Sequence, residues 1–489
     1  MLSRIISNGI SLVTLPIITR YLEPESFGII ALFVVESVFL AGLYDLGLNA
    51  FAGRMVFKYH HKNPERCRQY LGVMLFFITL SSLAGLVITL PLARFINLKF
   101  IGEVNYPNRF VVYCPLITAF LTAVNGFCTN NLINLHQNKR SFVIEIFYTI
   151  FLIPPQIVGL IWFGFTWVEI VYVYLFARLI VTVISLVMMR DNLAFSFKRL
   201  RIWTYALRYS LPLLPLNFSA WIQEHIDKIF LSRIYSVSSV GIYSVGAKLC
   251  NVFAFCSRPV MATVKPEISK RLDNRDRNID TDITDFFNLF FQGALFLVFA
   301  VSIFSQEIVH LIADESYGEA FIVVPFLLIS YLLSELTGVF QLKFIYKNKT
   351  ALLPVFVFLG AFLNALLNFV LIPRFYIVGA AFATVLSNLL IFFCCYIVAQ
   401  KFHYSRYDLK GNFLITILVT VAIGVIQNFI PHSMTMGLVR FMIILGYAMI
   451  LMKYLFEKNR IFKGIMDVMI KPFQLKTGIF FKKLIRLNS

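Results

Sequence analysis

Long apolar runs separated by short polar breaks recur along the whole chain, and they limit the folds open to it. The runs at 70–96 and 351–372 each reach the ~20 residues that cross a bilayer as a helix. Charged residues make up 14% of the 489-residue chain, against roughly 25% in a soluble domain. A transmembrane barrel would instead show alternating segments of ~10 residues. The sequence therefore predicts an all-α integral membrane protein.

About fourteen transmembrane helices follow from these runs, and the even number places both termini on one side. Loops on the side of the N-terminus hold 22 Lys and Arg residues and the opposite loops hold 6, which predicts cytoplasmic termini. Pro154 with Pro155, and Pro212 with Pro215, are expected to break spans 5 and 7. The predicted spans are 2–19, 27–50, 70–93, 110–133, 142–164, 167–189, 204–231, 238–262, 286–306, 319–342, 351–372, 377–400, 412–430 and 437–456.

The net charge of +19 does not indicate nucleic acid, because the basic residues lie in short loops and in the tail. The basic tail, 457–489, fits either an amphipathic helix on the anionic inner leaflet or a solvated segment. Seven cysteines without a C-x-x-C spacing predict no metal or redox centre.

One short polar corner occurs twice. Residues 19–30 read TRYLEPESFGII and residues 232–243 read SRIYSVSSVGIY, and both contain R-x5-S-x-G-I. Six spans separate the copies, so they share one orientation, which is typical of a parallel repeat. We predict two six-helix bundles at 1–195 and 203–400, followed by two helices at 412–456. Arg20 and Arg233 are predicted to cap the outer ends of spans 1 and 7.

A family resemblance rests on four motifs in order. They are LPIITRYLEPESFGIIALF, DLGL followed by Arg54, YSLPLLPLNFSAWIQEHIDKIFLSRIYSVSSVGIYSVGAKL and NFVLIPRFYIVGAAFATVLSNL. From Leu15 to about Leu390 the chain resembles the polysaccharide transporter family, the O-antigen and repeat-unit flippases of the multidrug/oligosaccharidyl-lipid/polysaccharide (MOP) superfamily. Members usually carry a longer segment before the first corner, so span 1 is expected to be short or truncated.

The resemblance implies a function and partners. It implies a non-enzymatic flippase in the bacterial inner membrane, which moves undecaprenyl-diphosphate-linked oligosaccharide from the cytoplasmic to the periplasmic face by alternating access. The implied partners are this lipid-linked glycan, membrane lipids, and a polysaccharide polymerase with its chain-length regulator, but no nucleic acid.

Polar stripes run along three predicted spans, although an ionisable side chain at mid-membrane costs at least ~2.5 kcal/mol. Residues three, four and seven apart share one face of a helix, so the stripes indicate the wall of an aqueous cavity. The stripes are Tyr174, Arg178, Thr182 and Ser185 on span 6, Asn217, Trp221, Glu224 and Lys228 on span 7, and Ser244, Lys248, Asn251 and Arg258 on span 8.

The cations of these spans are the candidate substrate contacts. The resemblance implies a central cavity whose cations receive the diphosphate, where arginine donates two hydrogen bonds at once and lysine acts as a point charge. Two alternatives stay open: Arg178 and Lys248 pair with acids, and Arg54 snorkels to the inner interface. The candidate substrate-binding residues are Arg4, Arg54, Arg178, Lys248, Asn251 and Arg258.

Four acids at membrane depth are candidates for ion coupling or for structural pairing: Glu36, Asp45, Glu224 and Asp227. Glu224 is placed to pair with Lys228, and Asp227 to position the turn between spans 7 and 8. No catalytic or ATP-binding motif occurs. No cofactor or metal is therefore expected, and coupling to protons or sodium is left open.

The sequence leaves three alternative functions open. A cation-coupled drug exporter of the same superfamily would prefer an acidic cavity, which the basic stripes disfavour. A polysaccharide polymerase or ligase would present a large outer loop carrying Arg or His, and none is predicted. A peptidoglycan-precursor flippase would share the fold, but the polysaccharide-type corners make it the weaker alternative.

Overall fold

The computed structural model describes residues 2–102, 108–194, 202–273, 279–347, 349–402, 404–429 and 434–463. Helices dominate these stretches, and no β-strand occurs within them, so the all-α prediction is confirmed. The α-helices are α1 (Leu2–Tyr21), α2 (Pro24–Asp45), α3 (Leu48–Tyr59), α4 (Pro64–Thr89), α5 (Ala93–Phe100), α6 (Cys114–Asn134), α7 (Asn138–Phe163), α8 (Trp167–Met189), α9 (Ile202–Ser210), α10 (Leu214–Ile234), α11 (Val237–Asp273), α12 (Ile279–Ile303), α13 (Ser305–Ile312), α14 (Val324–Tyr346), α15 (Leu353–Phe402), α16 (Leu409–Phe429) and α17 (Met434–Lys458).

Every predicted span has a counterpart among these helices. In the described part of the chain, 11 helical stretches are long and apolar enough to cross a membrane. One of them, α15, holds predicted spans 11 and 12 and is broken at Tyr376. Within the described side chains of α1, the apolar stretch is Leu12–Tyr21, and α10 is less apolar because it carries several ionisable residues. The protein is a multi-pass membrane protein.

The ends of α2 and α8 follow from local sequence. Helix α8 begins with a capping box, in which the Thr166 backbone N–H donates to Glu169 at 2.8 Å. Helix α2 begins at Pro24, whose fixed φ suits a first turn. It ends at Asp45, earlier than the predicted residue 50, because Leu46 and Gly47 adopt left-handed φ values of 49° and 72°. The chain then turns into the separate helix α3.

The two pairs of prolines affect their helices differently. Pro212 lies in a 3-10 turn between α9 and α10, and Pro215 lies in the first turn of α10, so the predicted break of span 7 is confirmed. The predicted break at Pro154 and Pro155 is wrong, because α7 continues through both residues. A proline removes only one backbone donor, and a helix packed among membrane helices tolerates that loss.

The chain forms two compact units. The first comprises Met1–Phe255, Ile308–Leu327 and Pro354–Ser387, and the second comprises Cys256–Glu307, Leu328–Leu353 and Asn388–Ser489. These units group residues by packing, whereas the bundles at 1–195 and 203–400 are defined by the sequence repeat and stay a prediction. Helices α16 and α17 occupy the predicted 412–456 pair, and the tail from residue 464 lies outside the described residues.

Apolar packing fixes the helices of the first unit. Leu40 and Tyr44 of α2 pack with Leu116 and Ala119 of α6 in one buried cluster. A second cluster joins α3, α4 and α6 around Phe127. These contacts fix the positions of α2, α6 and α8, which carry several of the predicted polar residues.

Candidate functional site

The two copies of the polar corner pack directly against each other. A methyl group on Gly28 would lie 2.0 Å from the carbonyl oxygen of Val237, and one on Gly241 would lie 2.0 Å from that of Pro24. Val237 and Gly241 occupy, in the second copy, the positions of Pro24 and Gly28 in the first. Only glycine permits two backbones to approach so closely. The repeat therefore builds one reciprocal contact between the first turns of α2 and α11.

The corner arginines lie where the sequence predicts, in the last turns of α1 and α10. Arg20 and Arg233 are both exposed. Arg233 Nε donates to the carbonyl oxygen of Lys99 at 3.3 Å, at the end of α5. Arg233 therefore bonds the last turn of another helix.

Arg178 lies on α8, half-buried inside the first unit. Its guanidinium carbon is 4.2 Å from the centre of the Tyr148 ring, an aromatic contact that favours a cation. Its Nε is buried and has no hydrogen-bond partner among the described residues. The predicted alternative of an acid partner is not realised there, since none of the ion pairs between described residues includes Arg178.

Lys248 on α11 has a similar environment. Its Nζ is 4.6 Å from the centre of the Phe27 ring, at the start of α2. Within the described part of the chain no carboxylate pairs with it. Arg178 and Lys248 each come eleven residues after the first residue of their helix, which is about 16 Å of helix rise. Because α8 and α11 begin on the same predicted side, the two cations have similar predicted depths.

The other candidate cations differ from this pair. Arg258 belongs to the second unit, where its Nε is 3.9 Å from Glu335 and 61% of its side chain is exposed.

Arg54 is exposed and lies 4.8 Å from the Tyr209 ring centre. Asn251 is exposed, and the side chain of Arg4 lies outside the described residues. Among the candidates whose side chains the structure describes, only Arg178 and Lys248 combine partial burial, mid-helix position and an aromatic partner.

Glu36 is the most isolated of the four candidate acids. It is fully buried on α2, and neither carboxylate oxygen has a hydrogen-bond partner among the residues described. It lies twelve residues into α2, about 18 Å along the helix and close to the predicted depth of the two cations.

The other three acids are placed differently. Asp45 accepts hydrogen bonds from the side chain and backbone of Asn49 at 3.0 and 3.3 Å. Asp227 is buried and accepts from the Lys228 backbone N–H at 2.8 Å. Glu224 is exposed, and its predicted ion pair with Lys228 is not formed.

A polar face on α6 was missed from the sequence. Thr118, Asn125 and Thr129 are buried, and each has a side-chain atom without a hydrogen-bond partner in the described part of the chain. Their spacing of seven and four residues puts them on one helix face. This spacing is the sequence signal that indicates the polar face. Buried polar atoms without protein partners favour bound water.

No group of three His, Cys, Asp or Glu side chains among the described residues could hold a metal ion. The candidate residues of this unit offer two cations, one isolated carboxyl and several hydroxyl and amide groups.

Comparison with known proteins identifies the family of this chain. The model of a family described as polysaccharide biosynthesis protein matches residues 1–271, more than half of the chain. The chain belongs to the polysaccharide biosynthesis protein family. This family member is 26% identical over 171 residues to the probable low-salt glycan biosynthesis flippase Agl15 of Haloferax volcanii. That match covers 35% of the chain and 35% of the relative, so the chain spans about a third of the relative's length.

Solved structures give the fold of this family member. It superposes on lipid II flippase MurJ in an inward closed conformation with a TM-score of 0.73 and 12% identity, over 93% of this chain and 98% of that one. An inward-facing multidrug resistance MATE family transporter of the MOP superfamily gives 0.61 and 13%, over 80% and 95%. The chain therefore has the fold of these transporters.

Proposed function

We propose that this protein is a flippase that moves undecaprenyl-diphosphate-linked oligosaccharide from the cytoplasmic to the periplasmic face of the bacterial inner membrane. The proposed cargo is an O-antigen or another polysaccharide repeat unit. Family membership supports a role in polysaccharide biosynthesis, and the similarity to a probable glycan biosynthesis flippase supports translocation. The protein binds and moves its cargo without changing covalent bonds, so it is not an enzyme.

The observation that carries this proposal is the pair of cations Arg178 and Lys248. A diphosphate crossing the membrane needs positive charge at mid-depth, where an uncompensated charge is costly. Arg178 offers planar donors, including a buried Nε with no partner in the described structure. Lys248 offers a point charge. An acid partner would cancel either charge, whereas the rings of Tyr148 and Phe27 leave the charges available to an anion.

The corner contact supports alternating access. Gly28 and Gly241 bring α2 and α11 into backbone contact at the predicted outer end of both helices. Release of cargo to the periplasm would require this contact to open, while the lipid tail stays in the bilayer. The polymerase and its chain-length regulator would then act on the delivered unit.

Glu36 is the proposed coupling residue. A fully buried carboxyl with no hydrogen-bond partner among the described residues is a group of the kind that carries protons in membrane transporters. Proton coupling is therefore favoured over sodium coupling, which would need several oxygen ligands. A drug exporter is the second candidate function, but cationic cargo would be repelled by Arg178 and Lys248.

The cation pair can be tested in cells that make a surface polysaccharide with this protein. Arg178→Met and Lys248→Met should each reduce surface polymer at least about tenfold, since each removes a charge–phosphate interaction worth about 1.5 to 3 kcal/mol. Lipid-linked units should accumulate on the cytoplasmic side. Surface polymer, lipid-linked units and protein abundance would be measured together.

Arg140→Met is the matched control, because it removes the same charge from an arginine that pairs with Asp191 at 2.9 Å. It should leave surface polymer within about twofold of the parent protein. Normal polymer in both Arg178→Met and Lys248→Met, at normal abundance, would show that these cations do not bind the cargo.

A further inference from the structure

A cleft of about 480 Å³ lies in the first unit, and neither Arg178 nor Glu36 belongs to its lining. Its polar lining consists of His310, Glu315, Ser316 and Glu319, and its aromatic lining includes Phe321 and Tyr376. His310 belongs to α13, and the others come from the segment after α13 and from the break in α15. The cleft therefore combines carboxylates with aromatic rings in one concave surface.

The first corner holds one wall of this cleft in place. The Tyr317 hydroxyl donates to the carbonyl oxygen of Leu22 at 2.8 Å, and the Tyr317 ring meets Phe27 edge-on at 6.0 Å. Thr19 Oγ1, which donates to the carbonyl oxygen of Leu15 at 3.0 Å, also lies 3.4 Å from the carbonyl oxygen of Ile312. Because Tyr317 is fully buried, the segment that carries Glu315 and Glu319 rests on a fixed support.

Asp314 shapes the same wall. Its carboxylate accepts hydrogen bonds from the Ser316 backbone N–H at 3.2 Å and from the Ser316 hydroxyl at 2.9 Å. These bonds, with a smaller contribution from the charge of Arg20, hold the pKa of Asp314 below its usual range. Asp314 is therefore occupied in capping the turn, and Glu315 and Glu319 are the carboxylates that line the cleft.

The opposite wall depends on an unusual backbone at Tyr376. Its φ of 57° and ψ of −137° are costly for a residue with a side chain. The Tyr235 ring meets the Tyr376 ring at 4.8 Å, and the Tyr235 hydroxyl donates to the carbonyl oxygen of Pro373 at 3.2 Å. Glycine would adopt this backbone without strain, so a tyrosine here indicates a use for the ring.

We propose that this cleft binds the uncharged, hydroxyl-rich part of a glycan. Sugar hydroxyls donate hydrogen bonds, and carboxylates such as Glu315 and Glu319 accept charge-assisted ones. The C–H faces of sugar rings are apolar and pack on aromatic rings such as Tyr376. The same carboxylates repel phosphate and acidic sugars, so the ligand class differs from the diphosphate proposed for Arg178 and Lys248.

Its place in transport rests on the proposed function. The segment after α13 and the break in α15 lie between spans 9 and 10 and between spans 11 and 12, and the charge distribution predicts both on the outer side. A glycan leaving toward the periplasm would meet this cleft after the corner contact opens. The cleft is then a product-side glycan site.

Saturation-transfer NMR on the full chain in nanodiscs tests the site, with maltotriose and chitotriose as neutral probes and trigalacturonate as the acidic probe. Both neutral probes should bind, and trigalacturonate should bind at least about tenfold more weakly. The double variant Glu315→Ala/Glu319→Ala should weaken neutral binding about tenfold, which corresponds to about 1.4 kcal/mol. Equal binding of all three probes, or no effect of the double variant, would overturn the proposal.

Tyr376 supplies a matched pair of variants. Tyr376→Phe keeps the ring and should bind the neutral probes within about twofold of the parent protein. Tyr376→Gly relieves the backbone and removes the ring, so it should bind about tenfold more weakly while its melting temperature stays equal or rises. Parent-like binding by Tyr376→Gly would assign the residue to structure alone and refute the site.

The variants Arg178→Met and Lys248→Met separate this proposal from the proposed function. They should lose transport and keep parent-like binding of the neutral probes. If they keep transport while the Glu315→Ala/Glu319→Ala variant loses probe binding, the cleft stands and the cation site fails.

Discussion

Two sets of buried polar side chains, one from each unit, have different hydrogen bonding. In the first unit, Glu36, Asn125 and Arg178 have buried side-chain atoms with no hydrogen-bond partner in the described structure. In the second unit, Lys343 Nζ donates to Ser405 Oγ at 3.0 Å, and Ser405 Oγ donates to Asp280 at 2.7 Å. The second unit also contains an ion pair between the fully buried Arg440 and Glu307, and an amide network through Gln292, Asn412 and Asn288.

This difference separates polar residues that hold the fold from those that are available to other molecules. A satisfied buried network rigidifies its surroundings, and removing one member leaves the others unpaired. A buried polar atom without a protein partner loses nothing when it is replaced, unless water, a proton or cargo binds it. Stability measurements can therefore distinguish the two kinds of residue, even where transport is affected by both.

The largest expected change in stability comes from the paired residues of the second unit. Glu307→Ala removes a carboxylate from the buried Arg440 guanidinium and should cost about 3 to 5 kcal/mol of unfolding free energy. Thermal unfolding of the purified protein would measure it. Glu307→Gln, which keeps a hydrogen-bond acceptor, should cost less. A melting temperature unchanged by Glu307→Ala would remove this pair from the structural network.

An identical substitution in the two units gives the sharpest comparison. Asn412→Leu leaves Gln292 Nε2 and Asn288 Oδ1 without the partner that each contacts, at 2.6 and 3.0 Å, and should cost about 2 kcal/mol. Asn125→Leu removes an amide nitrogen that has no partner among the described residues, so stability should change by less than about 1 kcal/mol. Equal losses in melting temperature would contradict the distinction between paired and unpaired polar side chains.

The smallest expected change in stability is at Glu36. Glu36→Gln breaks no hydrogen bond within the described structure, so the free energy of unfolding should stay within about 0.5 kcal/mol of the parent value. Transport should nevertheless lose its response to a proton gradient, which vesicles with an imposed pH difference would measure. A variant that is destabilised but still gradient-driven would make Glu36 a structural residue.

The sequence was sufficient for the fold class, the span order and the family, because apolar length and the repeated corner are local signals. The hydrogen-bond and ion-pair partners of the polar side chains could not be predicted, because they depend on which helices pack together. The predicted span 319–342 ends just before Lys343, yet Lys343 lies inside α14 and is buried. Helical spacing groups Arg258 with Lys248, but a few turns along α11 the neighbours of Arg258 include Glu335. The break at Tyr376 also carried no local signal of its left-handed backbone.

The reciprocal contact of Gly28 with Val237 and Gly241 with Pro24 has the form of an isologous interface, in which a patch meets its own copy across a two-fold axis. Two identical subunits would generate this arrangement by symmetry, and here a single chain reproduces it with two copies that differ in sequence. A side chain added at either glycine would push on the same shared contact. The two corners are therefore expected to change together, so a variant in one copy is best rescued by a compensating change in the other.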